Sequence, residues 1–284
     1  MRRFLFLALL LLPFWVGAQE NVSVRGRIVD QSGEPVEYVQ IGIPKYNVGT
    51  ISSVDGRFEI SVPCDTLVFV HVSYQTALYA VTGPVEDLVV VLQEQELPPA
   101  VAIGGDTKEK YLLRAGTKVP DFGSITINPD TFIGSELGSV CTARKPFLIR
   151  DIHFSLKENT VPGCVAAINI YRVEGKPEQF TNILHKPIYF DIPESNATLD
   201  IFIQPEDIVL LEPGRYFIAF QIVSCDDEAL QAYRAKPQTE RRPGEMSIET
   251  NIYLKGSYHR EVALGEILKL PINIGISVKG LEYQ

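Results

Sequence analysis

Apolar and polar residues alternate over short runs in this chain, and turn residues close each run before a helical period can establish itself. Val22-Ser23-Val24-Arg25-Gly26-Arg27-Ile28-Val29 sets the pattern and ends in a turn cluster from Asp30 to Pro35. Val36 to Ile43 alternates again, with Val39, Ile41 and Ile43 on one side. Asp55-Gly56 marks a tight turn, because glycine takes a positive φ at no steric cost. Phe58 and Ile60 then share a face, Leu67 to Val72 reads as a mostly buried strand, and Leu88 to Leu92 closes the series. Short strands separated by turns, with no helix between them, predict a β-sandwich or barrel.

A second β-rich series begins near Asp121. Its best strands are Phe147 to Leu156, Val165 to Tyr171, Ile188 to Phe190, Leu199 to Ile203, Tyr216 to Val223, Ile248 to Leu254 and Ile272 to Val278. Seven strands suffice for a second sandwich of the jelly-roll type. Gln93-Glu94-Gln95-Glu96-Leu97-Pro98-Pro99 and Gly104-Gly105 cannot sustain a regular element and read as a linker, with one short helix expected over Lys108 to Arg114. At the start, Arg2-Arg3, the apolar run Phe4 to Val16 and the small-residue exit Gly17-Ala18 describe a secretory signal peptide rather than a spanning helix. The chain is therefore expected to be all-β and exported. Residues 1–18 are a leader, 19–93 a small sandwich, 94–120 a linker, and 121–284 a larger, jelly-roll-like sandwich.

Composition narrows the partners. Of 284 residues, 26 are basic and 35 acidic, a formal charge of −9 that becomes −11 once a leader carrying Arg2 and Arg3 is removed. That balance argues against nucleic acid, whose binding depends on clustered Lys and Arg. Apart from the leader, the longest apolar stretches are strand-sized, well short of the ~20 residues a transmembrane helix needs. Tyr216 to Val223 is apolar on both faces. Its outer face should be covered by a loop or by the first sandwich, with ligand binding the sharper alternative. Asp226 to Ser247 is charged and has no strand pattern, so it is expected to be either a cap or a mobile loop.

Between Val24 and Thr76 stand Val24-Arg25-Gly26-Arg27-Ile28-Val29-Asp30, Gly33-Glu34-Pro35-Val36, Val39-Gln40-Ile41, Gly49-Thr50, Asp55-Gly56-Arg57-Phe58-Glu59-Ile60 and Tyr74-Gln75-Thr76. On these residues the segment resembles the carboxypeptidase regulatory-like domain, a transthyretin-like sandwich of exported Bacteroidota proteins. Ser52-Ser53 and Ser73-Tyr74 depart from the family's Thr-Asp and Gly-Tyr. The resemblance implies a folding or docking accessory without catalytic residues. Such domains often precede outer-membrane receptors, but the residues that follow here show no long set of lipid-facing strands. The second series is similar only in general outline to jelly-roll adhesin-type or carbohydrate-binding sandwiches.

Catalytic spacing is missing. His71, His153, His185 and His259 are dispersed and begin no metallopeptidase motif, and there is neither a Gly-x-Ser-x-Gly elbow nor a phosphate loop. Asp151, His153 and Ser155 share one strand face, where side chains stand parallel about 6–7 Å apart, so they read as a solvated face rather than a triad. His71 reads as a hydrogen-bonded core histidine. Asp226-Asp227-Glu228 reads as a solvated acidic loop, so no metal and no cofactor is expected. Cys64 lies in the first sandwich and Cys141, Cys164 and Cys225 in the second; Cys164 with Cys225 or Cys141 would staple two strand ends. Because the only tryptophan, Trp15, lies in the leader, Tyr171, Tyr189 and Tyr216 are the candidate ligand-stacking residues.

These readings predict a non-catalytic binding or structural module of the cell envelope, with a protein or glycan partner at the periplasm or outer-membrane surface. Two alternatives remain. One is a hydrolase of glycosidase or esterase type with its site in the second sandwich. The other is an accessory of an outer-membrane nutrient-uptake complex.

Overall fold

A computed structural model describes residues 21–96, 104–115, 124–242 and 244–284. The expected leader, residues 97–103 and 116–120 of the expected linker, and Asp121 lie outside the described residues. What is described is all-β, built as sandwiches around separate apolar cores.

The first sandwich contains β1 (Val22–Val29), β2 (Gln40–Ile43), β3 (Val48–Ile51), β4 (Arg57–Val62), β5 (Thr66–Val70), β6 (Ala77–Ala80) and β7 (Val85–Val91). One sheet runs β4-β1-β7 and the other β3-β2-β5-β6. Alternation does what the sequence requires: β4 buries Phe58, Ile60 and Val62 and exposes the residues between them. Phe58 meets Phe69 of the facing sheet edge-on, with ring centroids 5.5 Å apart. Gly56 takes φ +75, as its turn demands, and a Cβ there would stand 2.4 Å from the Ile28 carbonyl oxygen.

The second sandwich opens with β8 (Thr107–Leu113), β9 (Ser124–Ile127), helix α1 (Pro129–Phe132), β10 (Glu136–Ala143), β11 (Phe147–Asn159) and β12 (Cys164–Glu174). It continues through β13 (Gln179–Asn182), β14 (Ile188–Ile192), β15 (Leu199–Ile203), β16 (Leu210–Leu211), β17 (Gly214–Ser224) and helix α2 (Asp227–Ala235). It ends with β18 (Ile248–Tyr253), β19 (Ser257–Arg260), β20 (Ile267–Leu270), β21 (Asn273–Ile274) and β22 (Ser277–Tyr283). One sheet is ordered β13-β12-β17-β10-β19-β20, with β14 on the end of β12; the other is β21-β18-β11-β22-β8, with β9, β15 and β16 attached. Ile152, Phe154 and Leu156 of β11 face Tyr216, Ile218, Phe220 and Ile222 of β17 across the core. Phe154 and Phe220 meet edge-on at 5.4 Å.

Several sequence expectations need correction. Lys108 to Arg114 is no helix: β8 pairs with β22, and its charges find partners across the strands, Lys110 with Glu282 and Lys279 with Glu109. The expected strand from Ile272 to Val278 is broken between β21 and β22, where the Tyr253 ring occupies the space beside Gly275. Asn273 at the break is buried and donates to the Lys255 carbonyl. Val36 to Ile43 is extended only from Gln40, because Tyr38 adopts φ +52. Asp226-Asp227-Glu228 is not a loop but the start of α2. The Asp226 side chain accepts from the Ala229 N–H at 2.7 Å, and the two following acids sit at the favourable end of the helix dipole. Leu230, Tyr233 and Met246 join the core, so of the two expectations for this stretch the cap is realised.

Register also settles which thiols can meet. Val165 faces Ser224, which brings Cys164 and Cys225 to the same end of the sheet, whereas Cys141 faces Tyr216. At ~3.3 Å per residue, that places Cys141 about 30 Å along β17 from Cys225, too far for any bridge. Cys141, Cys164 and Cys225 are buried thiols.

Candidate functional site

The two sandwiches meet where side chains have been left out. Gly42 of β2 pairs with Gly49 of β3, leaving a bare patch on that sheet. The turn between β19 and β20 fills it: the Ala263 carbonyl oxygen lies 1.8 Å from where a Cβ on Gly49 would be, and 3.2 Å from that on Gly42. Asn47, in the left-handed conformation, accepts from the Glu266 N–H at 3.0 Å. Beside this notch, Tyr38 and Ile51 pack on Ala167, Val223 and fully buried Ala263.

Next to this contact, a cavity of about 410 Å³ opens between the sandwiches. Gln40, His71, Tyr74, Thr76 and Gln95 form the wall from the first sandwich. Across from them, β12, β13, β14, β17 and β19 contribute Asn169, Tyr171, Thr181, Asn182, Tyr189, Gln221 and Arg260, with His185 at the edge.

The deep wall is a hydrogen-bond network. Glu136 of β10 is fully buried; its Oε1 accepts from the Tyr171 hydroxyl at 2.6 Å and from the Asn169 amide at 2.7 Å. Asn169 also donates to Gln221 at 3.0 Å and accepts from Asn182 at 3.0 Å, and Gln221 donates to the Gly134 carbonyl. Arg260 Nη1 stands 3.0 Å from Glu136 Oε2 and donates to the Tyr171 hydroxyl at 3.1 Å. Burial works against the Arg260 charge, but Glu136 and Tyr171 outweigh it and hold the guanidinium above its ordinary pKa. Burial likewise pushes the Tyr171 hydroxyl up. Arg260 Nε, buried, has no hydrogen-bond partner.

On the opposite wall, the Ser73 N–H donates to His71 Nδ1 at 3.2 Å, so the neutral ring carries its proton on Nε2 and presents it to the Tyr189 oxygen at 3.3 Å. Burial lowers the His71 pKa to about 4. The hydrogen-bonded histidine expected from sequence is present, and it stands at the junction rather than deep in one core.

The three candidate tyrosines separate. Tyr189 lines the cavity, its ring edge-on to Tyr38 at 5.0 Å. Tyr171 lines it too, but its ring lies along Phe217 and its hydroxyl belongs to the Glu136 network. Tyr216 points into the opposite core and donates to the Glu212 carbonyl at 2.8 Å, which removes it from any stacking role. On the outer face of β17 the expected cover by the first sandwich holds for Val223 alone. Phe217 and Ala219 lie under Tyr171, Phe180 and Tyr258, Val223 lies under the first sandwich, and Gln221 between them meets the cavity.

Asp151, His153 and Ser155 do share a face, but Asp200 of β15 stands between the last two. It takes His153 Nε2 at 3.1 Å and the Ser155 hydroxyl at 2.5 Å on one oxygen. A triad needs the imidazole between hydroxyl and carboxylate, so this order leaves the serine without a base. Asp151 instead accepts from Gln204.

Sequence reasoning missed Glu136, Asn169, Asn182, Gln221 and Arg260. Asn169 and Gln221 carried a readable signal, each being a lone amide in the middle of an apolar strand. Glu136 opens β10, a strand absent from those expected from sequence.

A second hollow, wider at about 1540 Å³, lies on the other side of the junction and carries eleven charged side chains. Four of its acids are tied to arginines: Glu59 and Glu86 to Arg25, Asp55 to Arg57, and Asp130 to Arg234 and Arg241. Among the described residues, no cluster of His, Cys, Asp and Glu could hold a metal, and no helix is long and apolar enough to cross a membrane.

No family model and no curated protein matches this chain. Among solved structures it is similar to a DUF3823 family protein from Bacteroides ovatus, at 10% identity over 71% of this chain and 96% of that one, with a TM-score of 0.21. A second DUF3823 protein, from Parabacteroides merdae, matches at 8% identity over 72% and 99% of the chains, TM-score 0.21. A proposed carbohydrate-binding protein from Bacteroides uniformis matches at 10% identity over 72% and 99%, TM-score 0.21. Superpositions this loose carry no inference about function.

Proposed function

We propose that this protein is an exported, non-catalytic binding module of the cell envelope, taking a protein or glycan partner. One observation carries the reading: among the described residues, the cavity between the sandwiches offers binding groups but no unengaged acid. Of the carboxylates beside it, Glu136 is committed to Arg260, Tyr171 and Asn169. A glycosidase needs two carboxylates about 5–10 Å apart, and an esterase needs a nucleophile beside a base. His71 and His185 line the cavity, but neither is hydrogen-bonded to a serine, threonine or cysteine side chain there. Among the described residues, the carboxylate that burial holds above its ordinary range is Glu37, which does not line the cavity.

A formed hollow favours ligand binding over a purely structural role, since pockets of roughly 300–1,000 Å³ with a few placed polar groups are where proteins hold small ligands. The leader-like start supports export. The resemblance of Val24 to Thr76 to the carboxypeptidase regulatory-like domain supports an accessory role for the first sandwich, here clamped on the second by the Gly42–Gly49 notch. The test is incubation of purified protein with peptide, ester and glycoside substrates. No turnover above buffer is expected; turnover abolished by a point substitution in the second sandwich would refute the reading.

A further inference from the structure

The cavity between the sandwiches is free of net charge in a protein carrying a formal charge of −9. Among the described residues no Asp, Glu or Lys lines it, and the Arg260 guanidinium faces Glu136. The contrast with the neighbouring hollow and its eleven charged side chains is sharp. Amides are supplied from both sides, Gln40 and Gln95 from the first sandwich and Asn169, Asn182 and Gln221 from the second. Thr76 and Thr181 add hydroxyls at the mouth. Amides and hydroxyls both donate and accept, as sugar hydroxyls do. Tyr74, Phe180 and Tyr189 offer apolar ring surface for the C–H face of a pyranose. A charged ligand would lose hydration here, and the cation on the wall, Arg260, already faces Glu136. Volume sets the scale: about 410 Å³ lies toward the small end of ligand sites.

We propose that this cavity binds one or two units of a neutral saccharide, held between the two sandwiches by Gln95 and Thr76 on one side and Thr181, Asn182 and His185 on the other. This rests on the reading of the protein as a non-catalytic binding module and names the ligand class of its site.

The experiment is calorimetric titration of the exported chain with neutral hexose and N-acetylhexosamine mono- and disaccharides, their hexuronic counterparts, and neutral oligopeptides. At least one neutral saccharide should bind with a dissociation constant of about 1 mM or tighter, and its uronic counterpart at least about tenfold more weakly. Gln95→Ala and Thr181→Asp change exposed positions on opposite walls. Each should weaken binding about tenfold or more with the unfolding midpoint unchanged. The assignment is overturned if no neutral saccharide binds at ~10 mM, well above the millimolar range, if uronates bind equally, or if both variants bind like the parent. Oligopeptide binding sensitive to the two variants, in place of saccharide binding, would overturn the sugar assignment and leave the binding-module reading standing. Cleavage of a saccharide that does bind would do the reverse.

Discussion

Gly49 is the residue on which the joint between the sandwiches depends most directly. A methyl group there would have to displace the Ala263 carbonyl, which is backbone and held by a tight turn closed by the Gly265 N–H on the Val262 oxygen. Gly49→Ala should cost about 1–3 kcal/mol, the usual range for overpacking. In urea this should separate the unfolding of the two sandwiches; a single transition at the parent midpoint would show that the notch carries no load. Glu136 is the second critical residue. Glu136→Gln leaves Arg260 as a buried cation without its counter-ion, which costs about 3–5 kcal/mol. Replacing both with apolar residues, as in Glu136→Leu with Arg260→Met, should recover most of that loss in a thermal melt. At the thiols, burial pushes Cys141 and Cys164 up to about 12 and Cys225 to about 11, so the reactive thiolate is scarce at neutral pH. Iodoacetamide should therefore label all three far more slowly in native protein than in urea, as peptide mass spectrometry would report.

Element by element, the strands legible in the sequence are those whose burial shows as a local apolar pattern. β1, β4, β11, β12, β15 and β17 all follow from alternation or from unbroken apolar runs. β8 was not legible, because Lys108, Glu109 and Lys110 are good helix formers whose strand character comes from partners on β22, far along the chain. β19 and β20 are short, and their burial comes from neighbours brought in by topology. The candidate site was legible only in fragments for the same reason. Tyr189 could be named from its strand, but Glu136 and Arg260 meet solely because β10 and β19 are neighbours in one sheet. The α2 cap was visible only as an absence of strand pattern, although Asp226 followed by Asp227 and Glu228 is an ordinary helix start. Asp226→Ala should cost about 1 kcal/mol and loosen α2 ahead of the sandwich, seen as faster amide exchange at Ala229.

For the molecule as a whole, the junction unites stability, pH response and the proposed binding site. His71 is neutral in the fold, with a pKa of about 4 against an ordinary 6.5, so the cationic form favours the unfolded or separated state. Its contribution is complete above about pH 6.5 and lost as the pH falls toward 4, roughly 3 kcal/mol at most. The groups in contact with it are the Tyr189 hydroxyl, the Tyr74 ring and the Ser73 N–H, none of which compensates a new positive charge. Contact between the sandwiches should therefore weaken in mild acid, and His71→Phe should flatten that dependence in melts taken between pH 4 and 7. The most direct test of the whole account is a nuclear magnetic resonance titration of protein carrying ¹³C-labelled tyrosine with the neutral saccharides, following ring and sugar signals together. Saturable shifts at Tyr74 and Tyr189, with the sugar signals unchanged over a day, are the predicted result. New sugar signals from a cleaved product, or tyrosine rings indifferent to every saccharide, would contradict it.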